Sequence, residues 1–337
     1  MSEILQVKNL SVSFFTPHGE VEAVRDVTFS LQSGEVLAVV GESGCGKTAL
    51  CKSIMKLLPD TARIKSGSIA VCGADITDYT DRDMRKLRGR LYSMILQNPM
   101  TALDPTVPVG RQVAEAVLVH HPRMDKEAVR RRVLELMTLV GLDNAQARCQ
   151  QYPHSLSGGM LQRCVLAIAL AGEPQILFAD EPTTALDVTV QAQILDLLRE
   201  IQQRLGTATV LVTHDFGVVA RAADRVAVMY AGRIVEIGTA EDIFYDPRHP
   251  YTVGLLRSLP YFAAPGEPLY TVPGMPPTMI DPPPGDAFAP RNVYALEIDY
   301  QEAPPMFQIS DTHFAAAWLL DPRAPRVDLR AGGVRRG

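Results

Sequence analysis

Apolar and polar positions alternate through the first part of the chain. Leu10, Val12 and Phe14 are separated by Ser11 and Ser13, and Val27, Phe29 and Leu31 repeat the pattern. A period of two predicts strands over about residues 4–40. Residues 36–40, 176–179 and 210–212 are instead continuously apolar, and 92–96 is so apart from Ser93, which predicts buried strands. Between these runs the period lengthens. Residues 81–89 are charged and helical by pattern, and about 108–152 read as largely helical. The stretch 128–140 is amphipathic and Gly141 is its stop. Residues 188–205 form another helix, and 226–237 read as a closing hairpin that turns at Ala231 and Gly232. Buried strands alternating with helices place the chain in the α/β class.

Candidate chemistry begins at the end of the apolar run 36–40. Gly41-Glu42-Ser43-Gly44-Cys45-Gly46-Lys47-Thr48 leads into a helix that starts near Ala49. It fits G-x-x-x-x-G-K-[ST] at every fixed position. Its glycines let backbone N–H groups close round a phosphate, and the helix N-terminus adds positive potential. Lys47 would reach the β- and γ-phosphates and Thr48 would ligate Mg²⁺. Strand, loop and helix in this order predict a P-loop NTPase core that binds a nucleoside triphosphate.

Other polar groups cluster at strand ends. Gln97 follows the strand at 92–96 and suits either an Mg²⁺ and water contact or plain capping. Asp180 and Glu181 end the strand at 176–179. After a P-loop they suit the Mg²⁺ shell and the attacking water respectively. His214 ends the strand at 210–213, where a γ-phosphate contact is the reading. Phe14, at a strand end, is either a base-stacking aromatic or a half-buried strand residue. Leu156-Ser157-Gly158-Gly159-Met160-Leu161-Gln162 opens a second helix, with Ser157 as its cap and bare first N–H groups. This is a second anion site, far in sequence from the first. Asp187 opens the helix that follows.

Composition narrows what such an NTPase serves. The net charge of −5 gives no general pull towards nucleic acid or an anionic membrane. The five cysteines show no paired spacing and read as reduced thiols. The first residues lack the basic and apolar regions of a signal peptide, and no apolar run approaches 18 residues. Beyond Thr239 lie 16 of the 25 prolines, which predicts an extended appendage without long regular elements. The end of the chain, from about residue 326, reads as a disordered tail.

Together, Gly41 to Thr48, Gln97, the Leu156–Gln162 stretch, Asp180, Glu181, Asp187 and His214 resemble the ATP-binding cassette (ABC) ATPases over about residues 4–237. The resemblance implies a RecA-like core with an antiparallel β subdomain and a helical subdomain near 98–165, within a nucleotide-binding domain of about 1–240. It makes Phe14 the base-stacking aromatic and Gln97 the loop that senses the membrane partner. Asp187 becomes part of a loop communicating across a dimer. Two such cassettes pair head to tail, each ATP lying between one P-loop and the other's Ser157–Gly159 region. Gln162 and Ala49 belong to the same contact set.

His249 to Pro260, Val272 to Pro277 and Phe288-Ala289-Pro290-Arg291 resemble the extension of dipeptide/oligopeptide and nickel importer ATPases, covering 241–325. The longer form is similar to the "D" subunit, which pairs with a different "F" ATPase. Two membrane permeases and a solute-binding protein complete the implied assembly, with the chain peripheral on the cytoplasmic face and no nucleic acid involved. The transported solute stays open between peptide, nickel and others. Relatives often carry four iron–sulfur cysteines, expected at Asp286, Asn292, Asp299 and Ala317. None is Cys here, so no cluster is expected. Those side chains read as solvated loop residues.

Overall fold

The computed structural model describes residues 2–184, 186–260 and 269–329. The tail expected from residue 326 lies outside the described residues from 330 onward. The chain forms two compact units. One comprises Met1–Ile4, Leu31–Val36 and Asp78–Val212. The other comprises Leu5–Ser30, Leu37–Thr77 and the chain from Thr213 onward.

The second of these units begins with β1 (Glu3–Thr16), β2 (Gly19–Gln32), β3 (Val36–Val40), α1 (Lys47–Ile54), β4 (Ala62–Val71) and β5 (Ala74–Asp75). Strands β2-β1-β4-β5 make a four-stranded sheet. β1 and β4 run antiparallel, with Val7 opposite Ile69 and Phe14 opposite Ala62. Leu5, Val7, Leu10 and Val12 are fully buried. The step of three from Val7 to Leu10 breaks a period of two, and the register shifts there, between Lys8 and Ser11. A bulge restores the inward face after the extra residue.

The first unit carries α2 (Asp81–Leu87), β6 (Tyr92–Ile95), α3 (Pro99–Ala102), α4 (Val109–His120), α5 (Lys126–Leu139) and α6 (Ala145–Arg148). It continues with α7 (Gly158–Leu170), β7 (Ile176–Asp180), α8 (Val188–Leu205) and β8 (Ala208–Thr213). β7 pairs in parallel with β6 on one side and β8 on the other. Helices α4, α5 and α7 pack on one another. Their stripes meet there: Val113 and Val117 from α4, and Val129, Val133, Leu136 and Met137 from α5, are buried. Asp125 caps α5 by accepting from the N–H groups of Glu127 and Ala128.

The chain returns to the other unit with α9 (Phe216–Ala222), β9 (Arg225–Tyr230), β10 (Arg233–Thr239), α10 (Ala240–Tyr245), α11 (Pro250–Arg257), β11 (Phe307–Gln308) and β12 (Phe314–Ala315). Strand β3 pairs in parallel with β9. The β9–β10 hairpin turns through Ala231 and Gly232, both at positive φ (46° and 80°), the primed geometry that two-residue hairpin loops favour.

The extension from residue 241 is not a unit of its own. Its strand β12 pairs with β10. Phe288, 2% exposed, enters the core that holds Val226, Val228, Tyr230 and Tyr251. Its ring lies 5.3 Å from both tyrosine rings. A short proline-rich segment buries little by itself, so it shares this core. Phe307 and Trp318 stack edge-on against each other instead. A second pin is polar. Glu236 on β10 is fully buried and accepts from His313 Nε2 (2.8 Å) and the backbone N–H groups of Arg248 and His249.

One expectation is corrected here. Asp286 and Asp299 are not solvated: they are 9% and 2% exposed. Each carboxylate accepts a local backbone N–H, Asp286 from Phe288 and Asp299 from Leu296. They hold turns beside the aromatic core, and that packing removes their water. Burial pushes the Asp286 carboxyl up to about 6, with the Asp299 charge adding to the shift. Burial also raises Asp299. Ala317 is buried too, and Asn292 Oδ1 accepts from the Tyr294 N–H.

Candidate active site

The phosphate loop leaves the C-terminal end of β3, whose five residues are all buried. Gly41 has φ +154°, and a Cβ there would lie 2.1 Å from Met229 O. Gly46 has φ +106°, and a Cβ would lie 2.1 Å from Ala23 O. Only glycine fits either position. Gly46 is also the N-cap of α1 and offers no side-chain cap, so this helix start is of the kind that receives an anion. Ser43 and Gly44 are exposed at the rim.

Lys47 is 5% exposed and donates from Nζ to Gly41 O (2.8 Å) and Glu42 O (3.0 Å). These are neutral acceptors, and a phosphate oxygen is a stronger one for an ammonium. Cys45 lies inside the loop, its Sγ 3.8 Å from Lys47 Nζ. Burial raises its thiol pKa against the pull of Lys47.

Glu42 is held by side chains far along the chain. Its N–H donates to Tyr251 Oη (2.9 Å), and its carboxylate receives both terminal nitrogens of Arg291. Phe14 is half-buried, whereas its neighbour Phe15 is 43% exposed with Arg63 and Lys65 over its ring. His214 is exposed just past β8, and Asp215 beside it caps α9.

The acidic group lies in the other unit. Asp180, 7% exposed, is the last residue of β7. Glu181 follows at φ +47°, a left-handed conformation unusual for a side chain of this length. Its N–H donates to Val212 O (2.9 Å). Its Oε2 accepts from Gln97 Nε2 and from Thr184 Oγ1, both at 2.9 Å. The carboxylate is thus aimed from two sides. Thr184 carried no sequence signal of its own.

Two helix starts meet in the same unit. Ser157 caps α7 by accepting from the Met160 N–H (3.4 Å) and Asp187 caps α8 by accepting from the Val190 N–H (3.0 Å). Ser157 and Gly158 are exposed. Gly159 is buried because a Cβ there would lie 2.4 Å from Val190 Cγ1, where α8 passes. Gln162 lies one turn on, on that same inward face, and is 2% exposed with neither amide atom hydrogen-bonded. It therefore does not face the exposed helix start with Ser157.

Gln97, Glu181 and Thr184 are brought together, as are Gly41, Glu42 and Lys47 with Tyr251 and Arg291. Among the described residues no helix is long and apolar enough to cross a membrane.

The ABC transporter family matches residues 24–184. The family described as oligopeptide/dipeptide transporter, C-terminal region, matches residues 235–298. The oligopeptide transport ATP-binding protein OppD of Bacillus subtilis (strain 168) is 52% identical over 330 residues, 97% of this chain and 92% of that protein. The dipeptide transport ATP-binding protein DppD of Lactococcus lactis subsp. cremoris (strain MG1363) is 52% identical over 325 residues, 96% and 93% of the two chains. Among solved structures, the dimeric, post-hydrolysis state of the ATP-binding cassette MJ0796 bound to ADP and Pi gives a TM-score of 0.63 at 26% identity. It covers 70% of this chain and 98% of that one.

Proposed function

The chain belongs to the ABC transporter family, in the branch that carries the oligopeptide/dipeptide C-terminal region, and on that premise we propose that it is the ATP-hydrolysing, energy-coupling subunit of a peptide importer. The observation that carries this reading is the double hold on Glu181. A carboxylate directly after Asp180, fixed by Gln97 and Thr184, suits the orientation and deprotonation of an attacking water. The phosphate loop supplies the other half of the chemistry. Lys47 and the N–H groups at the start of α1 hold the phosphates in line. His214 contacts the γ-phosphate and Phe14 stacks on the base.

The Thr48 hydroxyl in one unit, and the Asp180 carboxylate and the Gln97 amide oxygen in the other, are each hard-oxygen donors of the kind that would hold Mg²⁺. The Gln97 amide turns its nitrogen to Glu181, an orientation that keeps its oxygen for a cation. When bound, that ion neutralises charge developing on the transferred phosphoryl group.

The exposed Ser157 and Gly158 at the start of α7 serve the ATP of a second cassette, and Asp187 on α8 lies in the same contact. The dimeric state of MJ0796 supports such pairing. The partner cassette is a different, "F"-type subunit. Two permeases and a solute-binding protein complete the importer, with this chain on the cytoplasmic face of the membrane. Closure on ATP and opening on product release supply the two-state motion.

The test is reconstitution. Purified alone, the chain should hydrolyse ATP slowly. In liposomes with its permeases and partner ATPase, hydrolysis should rise and drive peptide uptake when peptide-loaded binding protein is added. Full activity as a purified monomer would refute the composite site. Uptake of nickel but not peptide would refute the assigned solute.

A further inference from the structure

The second residue of the phosphate loop is gripped by a residue 249 positions away. Arg291, in the short turn Ala289–Arg291 of the extension, donates from Nη1 to Glu42 Oε2 at 2.6 Å and from Nη2 to Glu42 Oε1 at 2.9 Å. A bidentate fork of this kind fixes orientation as well as charge. Arg291 is itself immobilised. Its Nε donates to Pro273 O (2.7 Å), and its guanidinium lies over the rings of Tyr230 and Phe288. The Arg291 side chain is 4% exposed and that of Glu42 25%. Tyr251 Oη accepts the Glu42 N–H from a third direction.

Glycine at three loop positions makes many backbone conformations accessible, yet phosphate binding requires the one in which the N–H groups converge. Nothing within the loop holds the Glu42 side chain. A carboxylate there also brings negative charge to a loop that receives a triphosphate, and Arg291 neutralises it.

We propose that Arg291 is a positioning residue for the phosphate loop, through which the C-terminal extension pre-forms the loop for ATP. The proposal rests on the nucleotide reading given above. Without the fork, only a fraction of loops would be binding-competent, and apparent affinity falls by that fraction. Bound ATP re-forms the loop, so the loss appears in KM rather than in kcat.

The test combines calorimetric binding of a non-hydrolysable ATP analogue with Mg²⁺ to the full chain and steady-state ATPase kinetics of the assembled transporter. Arg291→Lys keeps the charge and loses the fork, and Glu42→Gln loses the acceptor charge without touching the extension. Each should weaken binding about tenfold, the scale of one charge-assisted hydrogen bond. Each should raise KM alike with kcat within about twofold of wild type. The double variant should be no worse than the weaker-binding single variant, because both remove one interaction. Arg323→Ala, which removes an exposed pair with Asp321 in the same extension, should change neither quantity. Unaltered affinity in both single variants, losses that multiply in the double variant, or a fall in kcat at constant KM would each overturn the proposal. A wild-type chain that binds no analogue would overturn the nucleotide reading with it. A wild-type chain that binds, with variants equal to it, overturns this inference alone.

Discussion

Gln97 Nε2 and Glu181 Oε2 lie 2.9 Å apart although 84 positions separate them in the chain. Register explains the meeting. Strands β6 and β7 run in parallel with Ile95 opposite Ala179, so Gln97 and Glu181 each lie two residues further on. Gln97 also leads directly into Asn98, the cap of α3. Any displacement of that loop therefore moves a donor to the carboxylate proposed to orient water.

Glu181→Gln should preserve ATP binding and lower kcat by at least about 100-fold, the scale of a lost general base. Radiolabelled nucleotide retention with phosphate release in the assembled transporter measures both. Turnover near the wild-type rate would remove Glu181 from the catalytic role. Gln97→Ala, which removes one of its two side-chain donors, should cost less.

Lys47→Ala should weaken ATP binding itself by tenfold or more, because a cationic donor to the phosphates is lost. The same change frees only two neutral carbonyls, of Gly41 and Glu42, so the fold should survive it. Equilibrium binding together with circular dichroism checks this, and unchanged affinity would contradict the assignment.

Asp286 predicts a pH dependence with a definite sign. Its folded pKa is raised from 3.8 to about 6, so between those values the native state holds more protons than the unfolded chain. Stability from this site is therefore greatest below about pH 4 and is lost as pH rises through 6. The full difference is about 3 kcal/mol. Asp286→Asn can still accept from the Phe288 N–H. In urea titrations it should be more stable than wild type at pH 8 and no more stable at pH 4. A gain that is equal at both values would show that ionisation is not the cause.

Phe288→Ala should destabilise the chain by about 3–5 kcal/mol, since it removes a ring packed between Tyr230, Tyr251 and His249. Denaturant midpoints would record it. A loss below about 1 kcal/mol would mean that the extension is held chiefly by polar contacts such as His313 to Glu236.

What the sequence made legible follows from distance along the chain. The loop from Gly41 to Thr48 is local, and its glycines and lysine stand where geometry needs them. The hairpin turn at Ala231 and Gly232 is local as well. The burial of Gln162 was not legible, because motif proximity to Ser157 says nothing of helix face; the close passage of Val190 at Gly159 decides that. Asp286 and Asp299 read as solvated because proline-rich loops usually are, and the aromatic core that buries them assembles from β9, α11 and the extension. Glu42 was read as a phosphate contact because it lies within the G-x-x-x-x-G-K-[ST] pattern. Its real partners, Tyr251 and Arg291, are 209 and 249 residues away, beyond the reach of any local pattern.

The same separation sets a clock on biosynthesis. Glu42 leaves the ribosome long before the arginine that grips it has been translated. At about 5–20 residues per second, 249 residues take about 12–50 s to add. Through that interval the nascent phosphate loop has its glycines and its lysine but not its brace. On the proposed brace, full nucleotide affinity would await the carboxyl-terminal extension, and a message cut short before Arg291 would yield a cassette whose unbraced loop binds about tenfold more weakly.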